Sequence, residues 1–276
     1  MTEIRHATPN SKGELIFLHL DLADLSTIKS TVDEFLSQQS RLDVLFNNAG
    51  VMDPPAGSKT AQGYELQLGV NCIGTFMFTK LLTPILASTA KSAKSSGSVR
   101  VVWVSSSAAD VLSPWGGVPV ESLDNYHNSW AAPGPMKYGV SKAGSYYYGT
   151  EFAKRYTAAT GIVSVPLNPG NLDSELYRHQ PWPIRLFMRT FILHPVILGA
   201  YTELFAGLSP EVTVEKSGSW GKFAHTCRPD ETWTDTGATP SWTLGQVLRR
   251  AKGSRCWFKD AGGRWQGQSA KVLGLD

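Results

Sequence analysis

Residues 99–107 have the sequence VRVVWVSSS, an apolar run rich in β-branched residues that ends in three serines. A run of this kind, without polar alternation, is typical of a strand buried on both faces of a parallel sheet. On either side of it, residues 42–46 (LDVLF) and 162–166 (IVSVP) are predicted strands, and helical patterns separate the three. This alternation predicts an α/β fold with a parallel sheet, right-handed crossovers and helices on both faces.

Periodicity and turn residues predict the remaining elements. Residues 14–21 (ELIFLHLD) are a predicted strand, and residues 22–37 a predicted helix that starts near Asp24 or Ser26. Longer helices are predicted at about 61–90, with a break near Pro84, and at 136–157. Between them, residues 108–135 are rich in proline and glycine, which predicts a loop-rich insertion with room for a short helix.

Composition excludes several classes of protein. The chain has 276 residues, 42% of them hydrophobic and 18% charged, which suits one α/β domain with a substantial core. Its formal charge of +3 is too small to indicate a nucleic-acid partner. The three cysteines, Cys72, Cys227 and Cys256, are far apart and form no cluster with histidine. We therefore expect reduced thiols, with neither a metal site nor a disulfide framework.

The sequence shows no targeting or spanning segment. The first residues, MTEIRHATPNSKGEL, lack the apolar core of a signal peptide, and no run of 18 apolar residues occurs. We therefore expect a cytoplasmic protein without a membrane-spanning segment. The nearest approach, residues 184–208, is interrupted by charged residues such as Arg185 and Arg189. It is interpreted as a buried or lid-like segment, with contact to a membrane surface as the alternative.

Tyr138 and Lys142 stand four residues apart on a predicted helix and therefore share a face. A tyrosine phenol has a pKa of about 10, too high for ready proton exchange at neutral pH. A nearby ammonium group favours the phenolate and lowers that pKa. The pair alone is weak evidence, because many surface helices carry such a spacing.

Polar residues follow three predicted strands at the edge where open α/β sheets bind ligands. Ser106 follows the strand at 99–104, and its hydroxyl could donate to a carbonyl oxygen; alone, such a serine is usually a cap or turn residue. Asn47-Asn48-Ala49-Gly50 follows the preceding strand, and Pro169-Gly170 follows the last. Beyond that turn, Leu172 and Ser174 could face a nicotinamide amide. Three such strand ends together indicate a site.

Six segments carry a resemblance to a known family: DLADL (21–25), LDVLFNNAGVM (42–52), LGVNCIGTF (68–76), VVWVSSS (101–107), YGVSK (138–142) and NPGNLDS (168–174). With them the sequence resembles the short-chain dehydrogenases/reductases over about residues 12–216, in the branch related to retinol dehydrogenases and WW-domain oxidoreductases and in a fungal style. The resemblance implies a Rossmann-like, doubly wound parallel sheet. It also implies hydride transfer between a nicotinamide cofactor, NADP favoured over NAD, and a carbinol carbon.

The resemblance assigns catalytic roles to Ser106, Tyr138, Lys142 and Asn71. Tyr138 would donate the proton in reduction and accept it in oxidation. Lys142 would lower the pKa of Tyr138 and hold the nicotinamide ribose, and Asn71 would support a proton-relay water near the lysine. Ser106 would orient the carbonyl or alcohol, with Ser105 and Ser107 as alternatives.

The resemblance also implies a set of cofactor contacts. Asp21 would contact the adenine and Asn48 the adenosine ribose. Lys80 is a weaker candidate, whose alternative is a solvated helix lysine. The full predicted set is Asp21, Asn48, Lys80, Tyr138, Lys142, Leu172 and Ser174.

The pattern departs from the family at its start. The family opens with a strand, a T-G-x-x-x-G-x-G turn that approaches the pyrophosphate, and a helix. No such motif occurs in this sequence, in which Gly13 is the first glycine. We interpret the chain as N-terminally truncated and lacking the first β-α-β unit, about 50 residues. We therefore expect weak or absent cofactor binding, exposed strand edges and an exposed face near residues 99–104.

The C-terminal region also differs from the family. We predict a truncated Rossmann-like domain at 1–216 and an atypical tail at 217–276, which holds five of the nine tryptophans and a possible short helix at 244–251. This composition is typical of an alternative reading frame or retained intron, and a lineage-specific ordered tail is the alternative.

Two functional hypotheses follow. The first is an NAD(P)-dependent oxidoreductase that interconverts a hydrophobic alcohol and a ketone or aldehyde, with residues 181–208 as a substrate lid and secondary metabolism as the setting. Its partner is the small substrate, and a homo-oligomer through the long helices is expected from the family. The second is a truncated, non-catalytic relative that binds a ligand or a partner subunit.

Overall fold

The computed structural model describes residues 2–119, 132–219, 221–222, 257–259 and 265–267. Four parallel strands form one sheet in the order β1-β2-β3-β4. They are β1 (Val44–Asn47), β2 (Arg100–Val104), β3 (Val163–Asn168) and β4 (Gly221–Lys222). The predicted α/β fold with a parallel sheet is confirmed.

Helices connect the strands and cover the sheet. Their bounds are α1 Thr2–Ala7, α2 Leu25–Gln38, α3 Leu66–Leu68, α4 Thr75–Ser92, α5 Ala108–Val111, α6 Gly134–Phe152, α7 Ala158–Thr160, α8 Trp182–Phe191 and α9 Val196–Leu208. Two π-helical segments, Gly69–Gly74 and Ala153–Thr157, run directly into α4 and α7, and 3₁₀ turns lie at Glu175–Tyr177 and Val214–Lys216.

Strand β2 is the centre of the core, and all five of its residues are buried. Because successive side chains alternate between faces, Val101 and Trp103 pack on the side of α4 and α6, while Val102 and Val104 pack with Ala206 of α9. The Trp103 indole N–H donates to Ser164 Oγ at 2.9 Å, so the one polar atom of this large side chain is satisfied inside the core.

Helix α2 begins three residues later than predicted. Asp24 is its N-cap, with an extended backbone and a side chain that accepts from the Ser26 N–H at 3.0 Å. This cap satisfies a backbone donor that the first turn leaves unpaired, so the helix begins at Leu25. Gln62 donates to the same carboxylate at 2.9 Å and fixes the helix start against the loop before α3.

The predicted break near Pro84 is wrong, because Pro84 lies inside the continuous helix α4. Pro84 is on the exposed side, so the carbonyl that lacks its N–H partner lies toward water. The irregularity lies earlier, in the π-helical segment Gly69–Gly74, which contains Asn71. The helix Leu66–Ser92 is long and apolar enough to cross a membrane by length and composition, but 56% of its apolar window is buried inside the fold.

The strand predicted at 14–21 is also wrong, since this stretch has no regular structure. Sheet formation requires a neighbour to complete the backbone hydrogen bonds, and among the described strands β1 pairs only with β2. Residues 14–21 instead run past α2, where Thr31 Oγ1 donates to the His19 carbonyl. Ile16 and Phe17 are consequently 50% and 71% exposed.

An exposed strand edge and an exposed face near residues 99–104 were expected; the first is confirmed and the second is wrong. Strand β1 lies at an edge of the sheet, and its Phe46 is 36% exposed. The face of residues 99–104 is buried, contrary to expectation, because α9 covers it. Arg100 fixes that helix by donating to the carbonyls of Ala206 at 2.9 Å and Ser209 at 2.7 Å.

The region predicted as an atypical tail begins within the sheet. Strand β4 pairs with Leu167 and Asn168 of β3. Farther along, β5 (Trp257–Lys259) and β6 (Trp265–Gly267) form an antiparallel pair. The short helix predicted at 244–251 lies outside the described residues, and the domain boundary at 216 stays a prediction.

Candidate active site

Helix α6 carries Tyr138 and Lys142 across the carboxyl end of the sheet, one turn apart on its inner face. Their side chains are almost fully buried, with 5% and 6% exposure, and Lys142 Nζ lies 5.8 Å from the centre of the Tyr138 ring. Gly139, between them, permits a close approach to α5. A Cβ there would lie 2.7 Å from the Leu112 carbonyl carbon and 2.8 Å from the Ala108 carbonyl oxygen.

Ser106 is the serine that reaches the tyrosine. It lies close enough to the Tyr138 phenol to lower the pKa of that group, and its hydroxyl accepts from the Ala108 N–H at 3.2 Å. The two alternatives point elsewhere: Ser105 Oγ donates to the Lys142 carbonyl at 2.7 Å, and Ser107 Oγ donates to Asn171 Oδ1 at 3.3 Å. The geometry favours Ser106 as the partner of Tyr138 at this strand end.

Burial controls the protonation of the phenol. It raises the pKa of Tyr138 above its ordinary value of 10.0, the hydrogen bond from Ser106 opposes this effect, and Tyr177 adds to it. The pKa is raised overall, opposite to the lowering expected from Lys142, whose Nζ donates to the Val104 carbonyl at 2.8 Å. The phenol is therefore protonated at neutral pH, the state from which it can donate a proton.

Lys142 is the most perturbed base of the site. Burial lowers its pKa from 10.5 to about 8, and the negative forms of Cys72 and Glu203 raise it. The Glu203 carboxyl is itself partly buried in α9, which raises its pKa, while Lys142 lowers it. Sequence reasoning missed Glu203, although it is the single acidic residue between Glu175 and Glu211 and interrupts an apolar helix.

Asn71 connects the loop after β1 to helix α6. Its side chain is 2% exposed; it accepts from the Val51 N–H at 2.9 Å and donates to the Val51 carbonyl at 3.0 Å and to Ser141 Oγ at 2.9 Å. Ser141 Oγ in turn donates to the Tyr138 carbonyl at 2.8 Å. Asn71 therefore lies next to the helical turn that carries Tyr138 and Lys142, and its hydrogen bonds hold the backbone there in place.

The loop after β1 passes close to Asn71 and Lys142 at Gly50. A Cβ on Gly50 would lie 3.0 Å from Asn71 Oδ1 and 3.4 Å from Lys142 Nζ, so glycine leaves a space that a side chain would fill. Asn47 Nδ2 donates to Thr79 Oγ1 at 2.9 Å and fixes this loop on α4. Asn48 is exposed beside it, where its amide is available to a ligand.

The other predicted cofactor contacts are spread more widely. Asp21 is exposed and accepts from the Ala23 N–H at 2.8 Å, and Lys80 is exposed on α4. Leu172 packs against Gly199 and forms a bridge with His194, while Ser174 caps the 3₁₀ turn Glu175–Tyr177. Each stays a prediction as a cofactor contact.

Two residues near the site were not identified from the sequence. Tyr177, on the 3₁₀ turn after β3, is close enough to Tyr138 to affect its pKa. Asp53 has a φ of +45°, the one positive value at a non-glycine residue in the described part of the chain. A signal for Asp53 existed in the Asp-Pro-Pro sequence after the Asn-Asn-Ala-Gly loop, since aspartate before proline favours turns. Within the described residues, no group of three or more potential metal ligands is present.

Comparisons with known proteins identify a family to which the chain is similar. A family model described as short chain dehydrogenase matches residues 1–118. A short-chain dehydrogenase/reductase from Phomopsis amygdali is 55% identical over 80% of this chain and 66% of its own length. Relatives of the same description from Phaeosphaeria nodorum and Emericella nidulans are 43% and 44% identical, and the alignments cover 70% and 77% of their lengths. The chain therefore spans roughly two thirds to three quarters of the length of these curated relatives.

Solved structures show the same fold. A 3-oxoacyl-[acyl-carrier protein] reductase from Brucella melitensis in complex with NAD has a TM-score of 0.57 at 20% identity, covering 80% of this chain and 79% of that one. An NADPH-bound carbonyl reductase from chicken fatty liver has a TM-score of 0.54 at 18% identity, covering 80% and 78%. At these identities the likeness concerns the fold alone.

Proposed function

This chain belongs to the short-chain dehydrogenase/reductase family, and on that premise we propose that it is an NAD(P)-dependent oxidoreductase for a hydrophobic alcohol and its ketone or aldehyde. The observation that carries the proposal is the placement of Ser106 beside the buried, protonated Tyr138, with Lys142 one turn away. Ser106 follows β2, and Lys142 Nζ on α6 donates to the Val104 carbonyl at the same strand end, where this class of sheet binds ligands.

The proton chemistry follows from these side chains. A substrate carbonyl placed between the hydroxyls of Ser106 and Tyr138 would accept two hydrogen bonds, which stabilise the negative charge that develops on its oxygen. Tyr138 would then transfer its proton to that oxygen. Lys142, whose pKa of about 8 lies close to neutral pH, would compensate the charge left on the phenolate.

Cofactor use is part of the proposal. A bound nicotinamide would supply the hydride in reduction or accept it in oxidation. Lys142 and the space beside Gly50 would receive the ribose next to it. We propose NADP over NAD, the preference implied by the family resemblance.

The substrate class follows from the segment after β3. Helix α8 has no buried residue, and its large apolar side chains are 48% to 76% exposed: Trp182, Ile184, Leu186, Phe187 and Phe191. Exposed apolar side chains clustered on one helix mark a binding surface, which suits a hydrophobic substrate. The fungal relatives suggest secondary metabolism as the setting, and a homo-oligomer through the long helices is the expected assembly.

The test is reduction of a panel of hydrophobic ketones, followed by NADPH absorbance, together with a fluorescence titration of NADPH. Tyr138→Phe should lower turnover by at least 100-fold, in line with the contribution of a general acid. Tyr147→Phe is the matched control on the same helix, since its hydroxyl only donates to the Gly116 carbonyl. Turnover that survives Tyr138→Phe would refute the mechanism. NADPH binding without turnover of any ketone would favour the ligand-binding alternative.

A further inference from the structure

Asp53 lies at the meeting point of three parts of the fold. Its backbone has a φ of +45°, a conformation that costs energy for a residue with a side chain and persists when surrounding contacts hold it. The Asp53 N–H donates to Gln67 Oε1 at 2.8 Å. Gln67 is 1% exposed, and its Nε2 donates to the Gly134 carbonyl at 3.3 Å. Asp53 is thus held by a buried amide that also binds the first residue of α6.

The Asp53 carboxylate packs on the start of the catalytic helix. A Cβ on Gly134 would lie 1.9 Å from Asp53 Oδ1 and 3.1 Å from the Asp53 carboxyl carbon. Glycine at this position therefore leaves the space that the carboxylate occupies. An acidic group beside the first turn of a helix is also electrostatically favourable.

The other carboxylate oxygen of Asp53 binds a residue of the segment that follows β3. Gln180 Nε2 donates to Asp53 Oδ2 at 2.8 Å, across 127 residues of sequence. Gln180 belongs to the segment 174–191, which contains Tyr177 and helix α8. The ion pairs of this segment are local, Arg189 with Asp173 at 2.8 Å and Arg185 with Glu175 at 4.0 Å.

The other side-chain hydrogen bonds and ion pairs of the segment are local, between residues 173 and 191. Helix α8 buries no residue. Through the Gln180–Asp53 hydrogen bond, the segment 174–191 reaches the loop after β1 beside the start of α6. Tyr177 nevertheless lies close enough to Tyr138 to influence its pKa. The segment therefore has one residue near Tyr138, and the Gln180–Asp53 hydrogen bond ties it to the loop after β1.

We propose that Asp53 is a positioning residue that latches the segment 174–191 over the site through Gln180. The carboxylate couples the start of the catalytic helix to the substrate side, so that opening of the segment requires this bond to break. The inference rests on the proposed function only in treating 174–191 as the substrate side. The latch itself is a property of the free protein.

Hydrogen exchange measured by mass spectrometry tests the latch without turnover. Gln180→Ala should accelerate exchange of the peptide covering 175–191 by about fivefold, the factor expected for the loss of one net hydrogen bond. Asp53→Gly should have the same effect, because glycine keeps the positive φ and loses the carboxylate. In Asp53→Asn, exchange should stay as slow as in the parent protein, since the amide oxygen of asparagine can accept from Gln180. Gln38→Ala, at an exposed position on α2, is the matched control.

Coupling and kinetics sharpen the test. In the Asp53→Gly/Gln180→Ala double variant, exchange should be no faster than in either single variant, because both remove one bond. Where turnover is measurable, Gln180→Ala should raise KM and leave kcat unchanged. Exchange in Gln180→Ala equal to that of the parent protein, or in Asp53→Asn as fast as in Asp53→Gly, would overturn the proposal. If no turnover is found, the proposed function is contradicted, but the exchange measurements still test the latch.

Discussion

Asn71→Ala is the substitution whose cost the structure defines most fully. The Asn71 side chain makes three hydrogen bonds, two with Val51 and one with Ser141. A hydrogen bond contributes about 0.5–1.5 kcal/mol net, so the loss of three lowers the free energy of unfolding by about 3 kcal/mol. Because the site is 2% exposed, water cannot easily replace the lost partners, and the polar atoms of Val51 stay unsatisfied.

Asn47→Ala provides the matched comparison. The Asn47 side chain, at the end of β1, makes one hydrogen bond, to Thr79 Oγ1 at 2.9 Å. Its loss should lower the free energy of unfolding by about 1 kcal/mol. Urea denaturation followed by circular dichroism measures both values, with equal m-values required for the comparison. If Asn71→Ala destabilises the protein no more than Asn47→Ala, the reasoning from its three buried bonds is refuted.

Three further predictions concern helix α6 and its surroundings. Gly139→Ala should destabilise the protein by about 1–3 kcal/mol despite the better helix propensity of alanine, because the added Cβ meets the backbone of α5 and neither side can rotate away; an unchanged thermal midpoint would contradict this. Lys142 has a folded pKa of about 8 against an ordinary value of 10.5, so the unfolded chain binds more protons between these values and the free energy of unfolding rises with pH there. Measured from pH 8 to pH 9, the free energy of unfolding should rise in the parent protein, and this rise should disappear in Lys142→Met. The range ends at pH 9 because the raised pKa of the Cys72 thiol has the opposite effect above it. The Cys72 thiol, 2% exposed and with its pKa raised to about 12 by burial, should react with iodoacetamide only when the protein unfolds; mass spectrometry of its tryptic peptide would show rapid native labelling if the thiol were accessible.

The motifs predicted the arrangement of the site well where local sequence was sufficient. Tyr138 and Lys142 share a helix face because four residues make about one turn. Ser106 and the loop at Asn48 meet near them because parallel strands end at the same edge. The strand predicted at 14–21 failed for the opposite reason, since a strand needs a partner that its own sequence cannot supply.

Contacts between distant segments account for what was missed. Glu203 becomes relevant to Lys142 only because α9 packs across the sheet, held by Arg100. Asp53 meets Gln180 only when the segment after β3 folds back over the loop after β1. The direction of the shift in the Tyr138 pKa also required the structure, because burial raises this pKa, whereas the spacing to Lys142 alone suggested a lowering.

The sequence by itself determined the class of fold, the identity of the Tyr/Lys pair and the strand ends on which the site is built. These depend on periodicity, turn residues and spacing, which act over a few residues and need no knowledge of the rest of the chain. The tertiary structure decided which serine reaches Tyr138, how Lys142 is held and what lies over them. Those outcomes depend on burial and on hydrogen bonds between residues far apart in sequence, and only the packed fold brings such groups together.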